Sequence, residues 1–122
     1  MPTLNRFEEL DAWRSARHVT HSVYALSRGV ELGLRSQVRG AAVSIMANIA
    51  EGFESGSDAE FARFLSIAKA SAGEVESHLF VLLDLRDLAP SDFTELRAEI
   101  AQTKKMIAAL ISYLRRRKSR HR

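Results

Sequence analysis

The 122-residue sequence has no cysteine, only two prolines (Pro2 and Pro90), six glycines and one tryptophan. Without cysteine, disulfides and thiolate metal centres are excluded, and a reducing compartment fits. No run approaches the roughly 18–20 consecutive apolar residues that cross a bilayer. The opening "MPTLNRFEELDAW" is polar and acidic, with no apolar signal-peptide core. The expectation is a cytoplasmic protein with no membrane partner. Chemistry-bearing motifs are equally scarce. "GFESGS" holds two glycines but lacks the lysine and spacing of a phosphate loop. No serine sits in a strained nucleophile turn. These gaps predict a protein that is not an enzyme, with no cofactor and no small-molecule substrate.

Scarcity of breakers is itself informative. Helix-breaking residues cluster in "SRGVELG" (27–33), "GFESGSD" (52–58) and "DLAPSD" (87–92). The stretches between have helical length and period, and none alternates with period two. Four helices are predicted, at 9–28, 34–52, 58–87 and 92–117. Connections of about 5–7 residues make sequential neighbours antiparallel. The fold class is therefore all-α, an up-down-up-down antiparallel four-helix bundle over residues 1–114, followed by a basic tail, 115–122.

The third helix is clearest. Phe61, Leu65, Ala68, Ala72, Val75, Leu79 and Leu82 follow at alternating steps of four and three, the seam of a left-handed bundle. Ser57 and Glu60 have the spacing of a capping box. Gly73 interrupts this helix at about 1 kcal/mol relative to alanine, so a close helix–helix approach is expected there. Phe93, Leu96, Ile100, Thr103, Ile107, Leu110 and Leu114 give the fourth helix the same seam, with Pro90 stopping the preceding helix and Ser91 or Asp92 as cap. Leu10, Trp13, Ala16, Val19, Val23 and Leu26 line the first. Its start is either a cap formed by Asn5 with Glu8, or Asp11.

The second helix is unusual because it lacks a wet face. In "GAAVSIMANIAEGF" (40–53) only Ser44, Asn48 and Glu51 bond strongly. Leu34, Val38, Ala41, Ile45, Asn48 and Gly52 make one seam, and Ala42, Met46, Ile49 and Phe53 a second, with Val43, Ala47 and Ala50 filling the rest. A helix apolar all round must be covered all round. One bundle exposes a side of each helix, so an identical subunit is expected to cover this one. Burying several hundred Å² at about 25 cal/mol per Å² gives a gross drive on the order of 10 kcal/mol before association costs. The alternative is a helix sunk deeper into its own bundle. The expected interface or structural polar network comprises Arg39, Val43, Met46, Ala47, Asn48, Ala50, Glu51 and Phe53. Within it, Asn48, Glu51 and Arg39 form a network reaching Ser71 or Glu74, since an unsatisfied buried polar group costs roughly 1–3 kcal/mol.

Charge is also unevenly spread. The net +3 conceals a final octet, "RRRKSRHR", with six of the eighteen Lys/Arg and no acid. Twelve bases then face fifteen acids over residues 1–114, a net of −3. The nucleic-acid-binding candidates are therefore Arg115, Arg116, Arg117, Lys118, Arg120 and Arg122. Arginine at a helix C-terminus complements the macrodipole, but six bases exceed what capping needs. With no aromatic interleaved, contacts would go to phosphates and carry little sequence preference. A metal site is not expected. Di-iron bundles need Glu-x-x-His pairs on two helices. None occurs here; Glu74 with His78, and His18 with His21, are each half a site.

The segments "LDAWRSA", "GLRSQVRGAAVSIMANIAEGFESGS" and "EFARFLSIAKASAGEVESHL" resemble the 23S rRNA intervening-sequence protein family, also called S23 ribosomal protein, over residues 8–115. The resemblance implies a small bacterial cytosolic four-helix bundle assembled as a ring of five. It also implies kinship with the accessory protein of diversity-generating retroelements, a basic pentameric barrel that partners a reverse transcriptase and binds nucleic acid. Two positions depart from the pattern. Met46 stands where the family often has proline, which implies a straighter second helix. Glu54 follows the "EG" pair where a basic residue is common. The combined expectation is a homo-oligomer, a pentamer, serving RNA or a nucleic-acid enzyme partner as a scaffold. The alternative is a protein–protein interaction module that binds no nucleic acid.

Overall fold

A computed structural model describes residues 4–120, with side chains described as far as Arg117. A single 3-10 turn, Phe7–Glu9, precedes four α-helices: α1 (Asp11–Leu26), α2 (Leu32–Glu54), α3 (Asp58–Asp84) and α4 (Pro90–Arg120). There is no strand among the described residues. Each helix packs on its sequence neighbours and α4 closes back onto α1; among the described residues the Cα atoms of the diagonal pairs stay more than 8 Å apart.

Side-chain bridges report the antiparallel registers. Thr20 Oγ1 donates to the Ala42 carbonyl at 3.2 Å, and Ser44 and Ser71 hydroxyls meet at 2.9 Å. Lys104 Nζ donates to Glu76 at 2.8 Å, and Ser15 meets Thr103 at 2.5 Å. Paired with Arg39–Ser27 across α1–α2, Arg117–Asp58 across α3–α4 and His18–Glu99 across α1–α4, these bridges show numbers rising on one helix as they fall on the next. The up-down-up-down bundle read from the periodicity is thus the observed fold.

The core follows the predicted seams closely. All seven α3 positions from Phe61 to Leu82 are buried, as are Leu96, Ile100, Thr103, Ile107 and Leu114 of α4. Thr103, the one polar member, is satisfied twice: its hydroxyl donates to the Glu99 carbonyl and pairs with Ser15. This meets the requirement that a buried hydroxyl be bonded.

The helix ends correct several sequence expectations. Asp11 begins α1; Asn5 and Glu8 do not cap it, because Phe7–Glu9 forms its own turn first. Glu31, inside the predicted loop, is the N-cap of α2 and accepts from the Gly33 and Leu34 amides. Ser57 caps α3 by accepting from the Glu60 amide at 3.1 Å, but Glu60 does not reach back. Its carboxylate instead takes two 3.1 Å bonds from Arg63, which hold the carboxyl below its usual range. Pro90 does not stop α3. It is the first residue of α4, where a missing N–H matters least, so neither Ser91 nor Asp92 is the cap. What ends α3 is a Schellman turn: Asp87 N bonds to Leu82 O, Arg86 N to Leu83 O, and Arg86 adopts φ 62°.

Arg39 also departs from its expected role. It does not join Asn48 and Glu51. Its Nε donates to Ser27 Oγ at 2.9 Å, its Nη2 to the Tyr24 carbonyl at 3.1 Å, and its guanidinium lies 4.5 Å from the Tyr24 ring centroid. It therefore caps the C-terminal carbonyls of α1, where a cation is favoured, and locks the α1–α2 corner.

The glycines divide against expectation too. A Cβ at Gly73 would meet nothing within 4 Å, so no close approach within the chain explains it. Gly52 is the close approach: a Cβ there would fall 2.8 Å from Phe64 Cβ and 3.0 Å from Phe61 Cδ1. Phe53 beside it packs edge-on against Phe61 at 6.0 Å.

Two substitutions check this packing. Gly52→Ala forces α2 and α3 apart and is expected to lower stability by about 1–3 kcal/mol, as overpacking does. Denaturant unfolding measures it, and a neutral result would refute the contact. Arg39→Lys keeps the charge but loses the planar fork and ring stacking, and should cost about 1 kcal/mol or more in the same assay; full rescue by lysine would show that charge alone matters.

Candidate functional site

The second helix buries one side and leaves the other open. Val38, Ala41, Ala42, Ile45, Ile49 and Gly52 are buried. Gly40, Val43, Ala47 and Glu51 follow at helical spacing on the outward side, all exposed, with 40% of Val43 accessible. Ala50 is half-buried beside them. Of the eight residues expected at an interface, Met46 and Phe53 are half-buried and pack partly against the chain's own core. A single bundle thus covers more of this helix than its composition suggests, but not Val43 or Ala47.

The predicted polar network exists in part, with different members. Asn48 Nδ2 donates to the Ser44 carbonyl at 2.8 Å and to Ser44 Oγ at 3.0 Å, and Ser44 Oγ pairs with Ser71. Asn48 and Ser71 are the expected members; Ser44, the link between them, is an addition. Glu51 is exposed and takes no part, Arg39 turns to α1, and Glu74 instead faces His78 at 3.4 Å. The Asn48–Ser44–Ser71 chain pins α2 to α3 at the edge of the outward face. Ile67, one turn along α3 from Ser71, is itself 39% exposed, so apolar surface continues across the helix boundary.

Near the α2–α3 connection, α4 runs unbroken to Arg120. Arg115, Arg116 and Arg117 are exposed on its last turns. Arg117 Nε lies 3.3 Å from Asp58 at the start of α3, tying one of the bases to the bundle. The side chains of Lys118 and Arg120, and the whole of Arg122, lie outside the described residues.

The histidines do not form half-sites with each other. His18 lies 3.0 Å from Glu99 of α4, which ties α1 to α4. Among the described residues no group of three or more His, Asp or Glu is placed to hold a metal ion. No helix among them is long and apolar enough to cross a membrane. Sequence reasoning missed the inter-helix cluster of Glu76 with Lys104 (2.8 Å) and Arg97 (3.5 Å). Its signal was available in principle: an antiparallel α3–α4 hairpin places residue 76 opposite this part of α4.

Comparison with known proteins accords with this geometry. No curated protein matches the chain. Among solved structures, the chain resembles a protein with unknown function from the S23 ribosomal protein family of Bacteroides thetaiotaomicron VPI-5482. Identity is 21%, with a TM-score of 0.76, over 82% of this chain and 97% of that one. That likeness establishes the shared fold. The family model for the 23S rRNA-intervening sequence protein matches residues 8–109, spanning all of α1, α2 and α3 and most of α4. By that match over most of its length, the chain belongs to the 23S rRNA-intervening sequence protein family.

Proposed function

We propose that this protein is a non-enzymatic cytoplasmic homo-oligomer, a pentamer, that acts as a scaffold or accessory factor by binding RNA or an RNA-bound partner. The observation that carries the nucleic-acid part is the unbroken α4. It presents Arg115, Arg116 and Arg117 on an ordered helix, exposed and close together. Side chains of this kind neutralise phosphates and release counterions, so affinity falls as salt rises. Five copies in one assembly would multiply weak single contacts into avidity. The oligomer part is supported by the outward face of α2, where Val43, Ala47 and Gly40 offer small and apolar surface without charge. Small side chains let helices approach closely, and water gains by leaving the apolar patch.

A second reading has its own support. Phe80, Val81 and Leu85, near the C-terminal end of α3, are each more than 40% exposed. A cluster of this kind is a protein-binding feature. Under that reading the protein is an interaction module and its arginines contribute solubility.

Two experiments decide. Fluorescence anisotropy of labelled structured RNA with the full chain should show salt-dependent binding, weakened at least about tenfold when residues 115–122 are removed. Binding that ignores salt or the truncation would overturn the assignment. Ala47→Glu places a charge on a face that is open in the single bundle. It should leave helicity intact by circular dichroism while converting the oligomer to single chains by light scattering; an undisturbed oligomer would exclude this face from the interface.

A further inference from the structure

The basic character attributed to the C-terminal octet extends into the folded body along one groove. Because α3 and α4 are antiparallel, Asp58 meets Arg117 at one end and Glu76 meets Lys104 at the other. Between these two bridges, residues 61–73 of α3 face residues 100–117 of α4. Neither stretch contains a single Asp or Glu, and together they carry Arg63, Lys69, Lys104, Lys105, Arg115, Arg116 and Arg117. A body with net charge −3 over residues 1–114 thus holds one stretch rich in bases, flanked by Asp58, Glu60, Glu74 and Glu76, which pair with Arg117, Arg63, His78 and Lys104.

That stretch is concave. A groove of about 570 Å³ runs between the two helices, with Lys69, Lys104 and Arg115 on its walls and the hydroxyls of Ser66 and Ser112 between them. It exists because Ala70 and Ala108 are too small to fill it. Lys104, Ala108, Ser112 and Arg115 recur at steps of four, four and three, so they share one face of α4. Among the described residues Lys69 and Arg115 have no acidic partner. Lys104 does pair with Glu76, but Glu76 also faces Arg97. One carboxylate against two cations leaves that end positive.

We infer that the α3–α4 groove is a track for the phosphodiester backbone of single-stranded RNA, with Lys69, Lys104 and Arg115 holding its phosphates. This rests on the nucleic-acid reading above and gives it a location in the bundle, continuous with the end of α4. A repeating anion suits the site better than a single one. Lys104 and Arg115 lie eleven residues apart on one helix, about 17 Å at 1.5 Å per residue. That spans about five nucleotides at a stacked rise of about 3.4 Å. The Ser112 hydroxyl donates to phosphate or sugar oxygens, whereas that of Ser66 already donates to the Ala62 carbonyl. No aromatic ring lines the groove, so bases are not stacked and binding is indifferent to sequence. A smaller groove on α4, against α1, is lined by Asp92, Glu95 and Glu99 with His21. Its carboxylates disfavour the same polymer there.

The test uses the full chain with Lys69→Glu. Lys69 is exposed and has no acidic partner among the described residues. It also lies outside the C-terminal segment, so the substitution separates the groove from that segment. Arg28→Glu, in the α1–α2 connection, changes net charge equally and serves as control. Anisotropy with a mixed-sequence single-stranded RNA should show Lys69→Glu weakening binding about tenfold, with the slope of log affinity against log salt reduced by about 0.7 for each phosphate no longer neutralised. Arg28→Glu should bind like the parent, and both variants should keep parental circular dichroism. Loss in both variants alike would mean only net charge matters and would overturn the track. If Lys69→Glu binds normally while removal of residues 115–122 abolishes binding, the track is refuted and the RNA reading stands. If the intact chain binds no RNA, both fall; inorganic pyrophosphate shifting the amides of residues 66–73 would then mark a small-anion site instead.

Discussion

The approach of α2 to α3 at Gly52 sets how the two helices are turned toward one another. Helices separated by ordinary side chains can slide or rotate against each other; two that meet where one has only a hydrogen cannot. With Phe61 and Phe64 against Gly52, the rotation of α2 about its axis is determined. Ile45 and Ile49 then fall inside, and Val43 and Ala47 outside. The Ser44–Ser71 bond two turns away is a consequence of the same register. Tight packing thus decides which small residues remain available for a second molecule.

Much of the fold was legible because the signal was periodic. Seven apolar residues at steps of four and three leave α3 one way to face a core, and all seven are buried. Illegible features depended on single residues in competing roles. Pro90 reads equally as the end of one helix or the first turn of the next, and only the Schellman turn at Arg86, with no glycine to announce it, settles the matter. Gly73 has the look of a contact glycine because it lies mid-helix. Gly52 does that job, although its sequence context fits both a seam member and a breaker. Which glycine faces a neighbour is a property of the pair of helices, not of either sequence.

The candidate site was legible in composition more than in geometry. That Asn48 needs partners follows from its apolar neighbours in sequence; that Ser44, one turn back, relays it to Ser71 needs the register of α3. Arg39 defeats a reading along its own helix because its reach extends to α1 just as easily. Charge shows the same pattern. The octet at the C-terminus stands out in linear sequence, whereas Lys69 and Lys104 are thirty-five positions apart and become one surface only when an antiparallel hairpin brings them together.

The Arg117–Asp58 bridge marks where α3 begins beneath the final turns of α4. Residues 118–120 carry the α4 axis on by about 1.5 Å each past this bridge, as a short helical peg. A peg differs from a floppy end in how it meets a ligand. Its backbone is already ordered, so that portion of the entropy penalty of capture, about 1–2 kcal/mol per residue fixed, is met during folding. Under the proposed RNA reading, anything that loosens the bundle's base would therefore weaken binding without touching a single arginine.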